Sequence, residues 1–307
     1  MNKFLVLFLS IILMVSLTAC NGETLDINEK IDSVQSENNK EDRASENNEV
    51  TKNNEISFTE LVVVDNSECL IKLTEIYFDP EWGCVIKTQL ENRSSDKRYS
   101  IIALDASIDG IQCETSLGTI IDAGEKVEEE IIFFNDYFEE IEVYDYTDIE
   151  MTFDVSDCAY WSDKSLIKET VHVFPFGEEN AIKFVRKEQE SDKVIIDNEY
   201  ATVVVTGYDP YNSQGYAINM FWLNKTDKNL IFYIDDDSYV NGYKIGPQYA
   251  IDVSAGKCAF SSVYCHGTMF YEYNIVDVEE FKFTLRVSDY DDETANDLIN
   301  KIIILNP

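Results

Sequence analysis

The sequence predicts an all-β chain with two tandem immunoglobulin-like β-sandwich domains. The first observation behind this is an internal repeat. Val62-Val63-Val64-Asp65-Asn66 returns as Val194-Ile195-Ile196-Asp197-Asn198, 132 residues further on. In that register Gly83 matches Gly215, Asn92 matches Asn224, Gly110 matches Gly242, Ala123-Gly124 matches Ala255-Gly256, and Pro175 matches Pro307. A constant spacing held over this length marks a duplicated domain. The second observation is that each copy reads as about seven short apolar-polar segments, the pattern of strands in a sandwich. The third is the set of turn signals between them, such as Asp109-Gly110 and Asn241-Gly242, which tolerate positive φ.

Read from the start, residues 1–19 have the form of a secretion signal. Lys3 is the positive flank, Phe4 to Val15 is apolar, and small residues precede Cys20. Leu17-Thr18-Ala19-Cys20 resembles the bacterial lipobox. That resemblance implies cleavage before Cys20, lipidation of its thiol, and attachment to the outer face of a Gram-positive cell membrane. A lipid with two or three acyl chains suffices as an anchor, where one is marginal. Residues 20–55 lack aromatics and are rich in Asn, Glu, Asp, Ser and Lys, so they predict a disordered acidic tether.

Residues 56–175 form the first expected sandwich. Its strands are expected at Glu68 to Phe78, Cys84 to Glu91, Tyr99 to Ile108, about Ile111 to Ile121, Val127 to Phe134, Asp148 to Val155 and Ile167 to Phe174. One or two helical turns are expected between Asn135 and Ile141. Residues 176–193 are a linker and 194–307 the second sandwich. In the second copy Asp209-Pro210 sits two residues out of register with Asp79-Pro80. This predicts a shorter first strand there, followed by a longer turn.

The copies differ most in one strand. Cys84, Ile86, Thr88 and Leu90 are expected to face the first core, with Val85, Lys87, Gln89 and Glu91 outside. In the second copy the outer pair Gln89 and Glu91 becomes Phe221 and Leu223. That apolar face is expected to pack on the first domain or on a partner protein.

Composition excludes some functions. There are 59 acidic and 24 basic residues, a formal charge of -35. Nucleic acid and anionic headgroups need clustered Lys and Arg, so neither is expected as a partner. The cysteines beyond Cys20 swap with apolar residues between copies, as Cys84 does with Tyr216. They are expected to be reduced core residues, with a Cys69–Cys158 disulfide as the alternative. No nucleophile, base or metal-ligand motif appears, so no enzyme is expected. No cofactor is expected beyond one metal candidate, calcium at Asp235, Asp236 and Asp237, next to a second acidic loop at Asp289 to Glu293. Trp82 and Tyr211 in equivalent first turns, and Trp161 in a late acidic loop, are candidate glycan contacts.

The segments Asp-Pro-Glu-Trp-Gly, Leu-Glu-Asn and Ala-Gly-Glu-Lys in the first copy resemble surface lipoproteins and repeat modules of anaerobic Firmicutes. So do Val-Asn-Gly-Tyr and Phe-Lys-Phe-Thr-Leu-Arg-Val-Ser-Asp in the second. The resemblance implies a cell-surface setting and a β-sandwich, and carries no catalytic or binding residues. The function expected is a membrane-anchored, extracellular, non-enzymatic binding module for a protein or glycan ligand. A structural spacer, or an accessory glycan- or calcium-binding protein, is the alternative.

Overall fold

Among the described residues of the computed structural model, eighteen strands form three sheets. The described residues are 56–307 except 135–137, 139–140, 142, 144–145, 159–164 and 293. The signal, Cys20, the tether, Trp161 and most of the helical turn expected at Asn135 to Ile141 lie outside the described residues.

In the first repeat, β1 (Leu61–Asp65), β2 (Cys69–Asp79), β3 (Gly83–Asn92) and β7 (Lys126–Phe133) make one sheet. Facing it are β4 (Tyr99–Ile108), β5 (Ile111–Gln112), β6 (Gly118–Ile121), β8 (Ile149–Asp157) and β9 (Ile167–Val173). The chain crosses between sheets after β3, after β6 and after β7. This Greek-key order is that of an immunoglobulin-like sandwich.

The second repeat repeats it. β10 (Lys193–Asp197), β11 (Ala201–Asn212), β12 (Gly215–Asn224) and β16 (Cys258–His266) oppose β13 (Leu230–Ile234), β14 (Tyr239–Val240), β15 (Tyr249–Val253), β17 (Phe281–Asp289) and β18 (Ile299–Leu305). A short helix, α1 (Gly267–Glu272), follows β16.

Two boundaries differ from expectation. The segment Ile111 to Ile121 is two short strands, β5 and β6, rather than one. β11 is not shortened: it runs through Asp209-Pro210 to Asn212, and the offset is taken up by an irregularity between Asp209 and Asn212. Asp79 pairs with Gly83 to close the first hairpin, which puts Cys84 opposite Phe78.

The repeat is visible as chemistry. Asn66 Oδ1 accepts from Glu68 N and Cys69 N, and Asn198 Oδ1 accepts from Tyr200 N and Ala201 N. Arg93 donates to Asp65 Oδ1 and Asn66 O; Lys225 does the same to Asp197 Oδ1 and Asn198 O. Asn92 and Asn224, both fully buried, end β3 and β12. Asn92 Nδ2 donates to Lys97 O and Ile121 O, and Asn224 Nδ2 to Lys228 O, Val253 O and Ser254 O. A buried carbonyl without a donor is costly, so one amide here ties a strand end to two loops.

Each repeat has its own core. Phe133, Phe153, Tyr99, Ile86 and Leu90 fill the first; Trp222, Phe232, Phe281, Phe283 and Met220 fill the second. Both belong to one compact unit. A nine-stranded sheet runs across it, because Cys258 of β16 pairs in parallel with Ile111 of β5.

Replacing Asn224 by Ala leaves those carbonyls undonated, and the expected loss is about 2–3 kcal/mol. Urea unfolding of the full chain checks this; a midpoint equal to the wild type's contradicts the anchoring role.

Candidate functional site

The functional geometry gathers where the two repeats meet. Phe221 is 6% exposed and belongs to the first repeat's apolar cluster, with Val204 and Cys258, while Leu223 and Phe260 pack against it. The face marked by Phe221 and Leu223 is therefore covered from within the chain, and no outside partner can reach Phe221. The covering includes the linker. The Phe184 ring meets Phe260 edge-on at 5.9 Å, and the Arg186 guanidinium stands 5.5 Å from the Phe221 ring centre. Arg186 is pinned by two hydrogen bonds to Asp192, of 2.6 and 2.7 Å. These bonds hold the Asp192 carboxyl below the ordinary carboxylate range.

Polar rungs complete the joint. Cys258 N donates to Gly110 O at 3.0 Å. Gln112 Nε2 donates to Asp252 O, and Ser254 N donates to Gln112 Oε1. Lys183 Nζ donates to Gly256 O, and Lys257 pairs with Glu150. Glu150 also lies 3.4 Å from His172 Nε2, whose Nδ1 is 2.8 Å from Asp148 Oδ1. Sequence spacing did not reveal this cluster, since its members come from β8, β9 and the second repeat.

Two clefts flank Phe260 and Ser261. The first, of about 520 Å³, is lined by the aromatics Phe134, Phe138, Tyr249 and Phe260, with Gln112, Glu114, Asp252 and Ser261 as its polar groups. Tyr249 is stacked on Trp222 at 5.9 Å, and burial pushes its phenol upward. Ser261 Oγ accepts from Trp222 Nε1 at 2.7 Å, so the cleft wall is fixed by the second core. The second cleft, of about 790 Å³, is more polar; Lys187, Gln189, Thr206, Asn219, Ser262 and Tyr264 line it. Concave surfaces between domains, apolar with a few polar groups, are common ligand sites.

The expected contact residues are not gathered into one place. Trp82 is 49% exposed and meets Phe134 at 6.4 Å, which puts it beside the first cleft. Tyr211 is 94% exposed at the tip of the other repeat's first hairpin. Trp161 lies outside the described residues.

The acidic residues named as calcium candidates are spread over separate ion pairs. Among the described residues no group of three or more His, Cys, Asp or Glu is placed to hold a metal ion. Asp235 pairs with Arg286 at 3.0 Å, and Asp237 with Lys244 at 2.9 Å. In the later loop Asp289 pairs with Lys228 at 2.5 Å. Sequence-adjacent carboxylates turn to separate cations rather than converge. Hydrogen bonds from Lys244 and Lys228 hold Asp237 and Asp289 below the ordinary carboxylate range.

All six described cysteines are free thiols, including Cys69 and Cys158. Cys258 and Cys265, both on β16, point to opposite cores, as their odd spacing requires. Burial pushes the Cys69 thiol up to about 11 and Cys84, Cys258 and Cys265 up to about 12. Thiols held this high are poor nucleophiles.

No protein-family model matches the sequence, and no curated protein matches it. Among solved structures the chain is similar to the crystal structure of red sea bream transglutaminase. The identity is 8% and the TM-score 0.23, over 77% of this chain and 31% of that one. The chain thus spans about a third of the length of that protein.

Two outcomes follow from this geometry. Phe221→Ser with Leu223→Glu is expected to cost at least about 3 kcal/mol and to expose the linker at residues 176–192 to protease; unchanged stability and cleavage contradict the packing described. Alkylation of the native chain at pH 8 is expected to leave Cys69, Cys84, Cys258 and Cys265 unmodified by mass spectrometry until denaturant is added.

Proposed function

We propose that the chain is a non-enzymatic binding module, held at the outer face of a Gram-positive cell membrane by a lipid on Cys20, with its ligand site in the first inter-repeat cleft. The observation that carries this reading is the aromatic-lined cleft of about 520 Å³ beside Phe260, walled by both repeats. Its rigid apolar faces suit flat apolar surfaces, and Glu114 and Asp252 are hydroxyl-hydrogen acceptors at its rim. That pairing of stacking face and carboxylate fits a sugar ring. Trp82 extends the aromatic surface through Phe134. The charge of -35 favours a neutral or cationic ligand over an anionic one.

A structural spacer is the second reading. It is favoured by the strand pairing of β5 with β16, which couples the repeats as one body. Ligand response separates the two. A bound ligand at about 100 times its Kd adds about 2.7 kcal/mol of stability, whereas a spacer gains nothing.

Thermal melts of the full chain against a panel of neutral wall and dietary glycans provide the test. At least one glycan is expected to raise the Tm by several degrees, and Phe134→Ala and Glu114→Gln to remove that rise. A flat panel, or a rise indifferent to both variants, overturns the cleft as a glycan site.

A further inference from the structure

The duplication supplies a reference for one unusual group. Asp109 and Asn241 occupy equivalent positions, with φ of 54° and 49°, before Gly110 and Gly242. Both backbone amides donate to the equivalent carbonyl, Asp148 O at 2.8 Å and Glu280 O at 2.9 Å. Asn241 Oδ1 accepts from Glu279 N and Glu280 N, while its Nδ2 donates to Asp277 O at 2.8 Å. Asp109 Oδ1 accepts from the matching amides, Thr147 N and Asp148 N, and from Thr147 Oγ1. Its Oδ2 replaces the donating Nδ2 of Asn241. Among the described residues that oxygen has no hydrogen-bond partner, and the residue is only 2% exposed.

An ionised carboxylate would leave charge on a buried oxygen that no described group compensates; the protonated acid would not. We infer that Asp109 keeps its proton in the folded chain, and that losing this proton loosens the joint between the repeats.

The loop that Asp109 supports carries the joint. Thr147 Oγ1, which donates to Asp109 Oδ1, accepts from Ile182 N of the linker. Phe184 N donates to Asp109 O, and the next residue, Gly110, accepts from Cys258 N. A charge appearing on Oδ2 would stand buried at the point where linker and second repeat are fastened, and an unpaired buried charge is strongly disfavoured.

The charged groups around it give little compensation. Asp148, ahead of β8, adds like charge. Lys183 of the linker passes over Gly110 but gives its ammonium to Gly256 O. On β8 and β9, Glu150 and His172 are paired with Lys257 and Asp148. Burial raises the Asp109 pKa, opposed in part by the bonds from Thr147 and Asp148. A carboxyl whose folded pKa is raised gives stability that is complete below its unfolded pKa, about 3.9, and lost as pH rises through the folded one.

Asp109→Asn, which copies the second repeat, is the test. It is made in the full chain in a His172→Gln background, which removes the neighbouring imidazole. The Asn variant is expected to match its parent near pH 4 and to exceed its Tm by a margin that widens toward pH 8. Protease cleavage in residues 176–192 is expected to quicken with pH in the parent and not in the variant. A Tm difference that is flat with pH, or a variant less stable throughout, overturns the inference. A second measurement needs no variant to fold: in the wild-type chain labelled with carbon-13 at Asp carboxyls, one carboxyl must titrate above the rest. If all ionise together, the inference fails.

Discussion

A sheet that is apolar on both faces must be covered on both. The β12–β16 sheet is of this kind: Trp222, Ile218 and Met220 fill its own core, while Phe221 and Phe260 stand on the other side. The first repeat and the linker cover that second face, and the arrangement of the described chain follows from it. The parallel contact of β5 with β16, the Gln112 rungs and the Arg186–Asp192 clamp are all local consequences of bringing the repeats together there. In the first repeat the matching positions are Gln89, Glu91 and Glu128, which water covers without help. The duplication is therefore asymmetric, and the asymmetry makes two sandwiches into one body.

The same comparison explains which polar groups were kept and which changed. Asn92 and Asn224 do one job in both copies, since a strand end facing several carbonyls needs two N–H donors and a short side chain. Asp109 and Asn241 have one backbone conformation and one set of donors on Oδ1, yet differ in a single atom. That atom is at the surface-facing end of the second repeat and in the packed joint of the first. Joining the repeats put a carboxyl where its copy carries an amide.

The clefts are by-products of the joint. Two twisted sandwiches that touch along one row of aromatics leave concave space on either side of it. One side collected aromatics from both repeats and the other collected amides and hydroxyls. Neither set is contiguous in sequence. Pattern reading singled out the turn residues Trp82 and Tyr211; the cleft side chains it passed over, Phe134, Tyr249 and Phe260, read as ordinary strand residues. Only Trp82 has a link to the cleft, through Phe134.

The all-β character and the inward set Cys84, Ile86, Thr88 and Leu90 were legible in sequence, because period-two alternation and a 132-residue repeat are properties of neighbouring or equally spaced residues. The apolar change to Phe221 and Leu223 was legible too, but whether a partner or the chain itself covers it was not. The partners of the acidic runs were not legible either, for a related reason. Asp235 and Asp237 are close in sequence, while their side chains are aimed by separate cations, Arg286 of β17 and Lys244 of the loop before β15. What the tertiary structure alone decided is which surfaces meet across more than a hundred residues of chain: Ile111 with Cys258, Glu150 with Lys257, and Gln112 with Ser254. Such contacts leave no periodic trace, because each depends on the packing of two completed sandwiches rather than on any spacing along the chain.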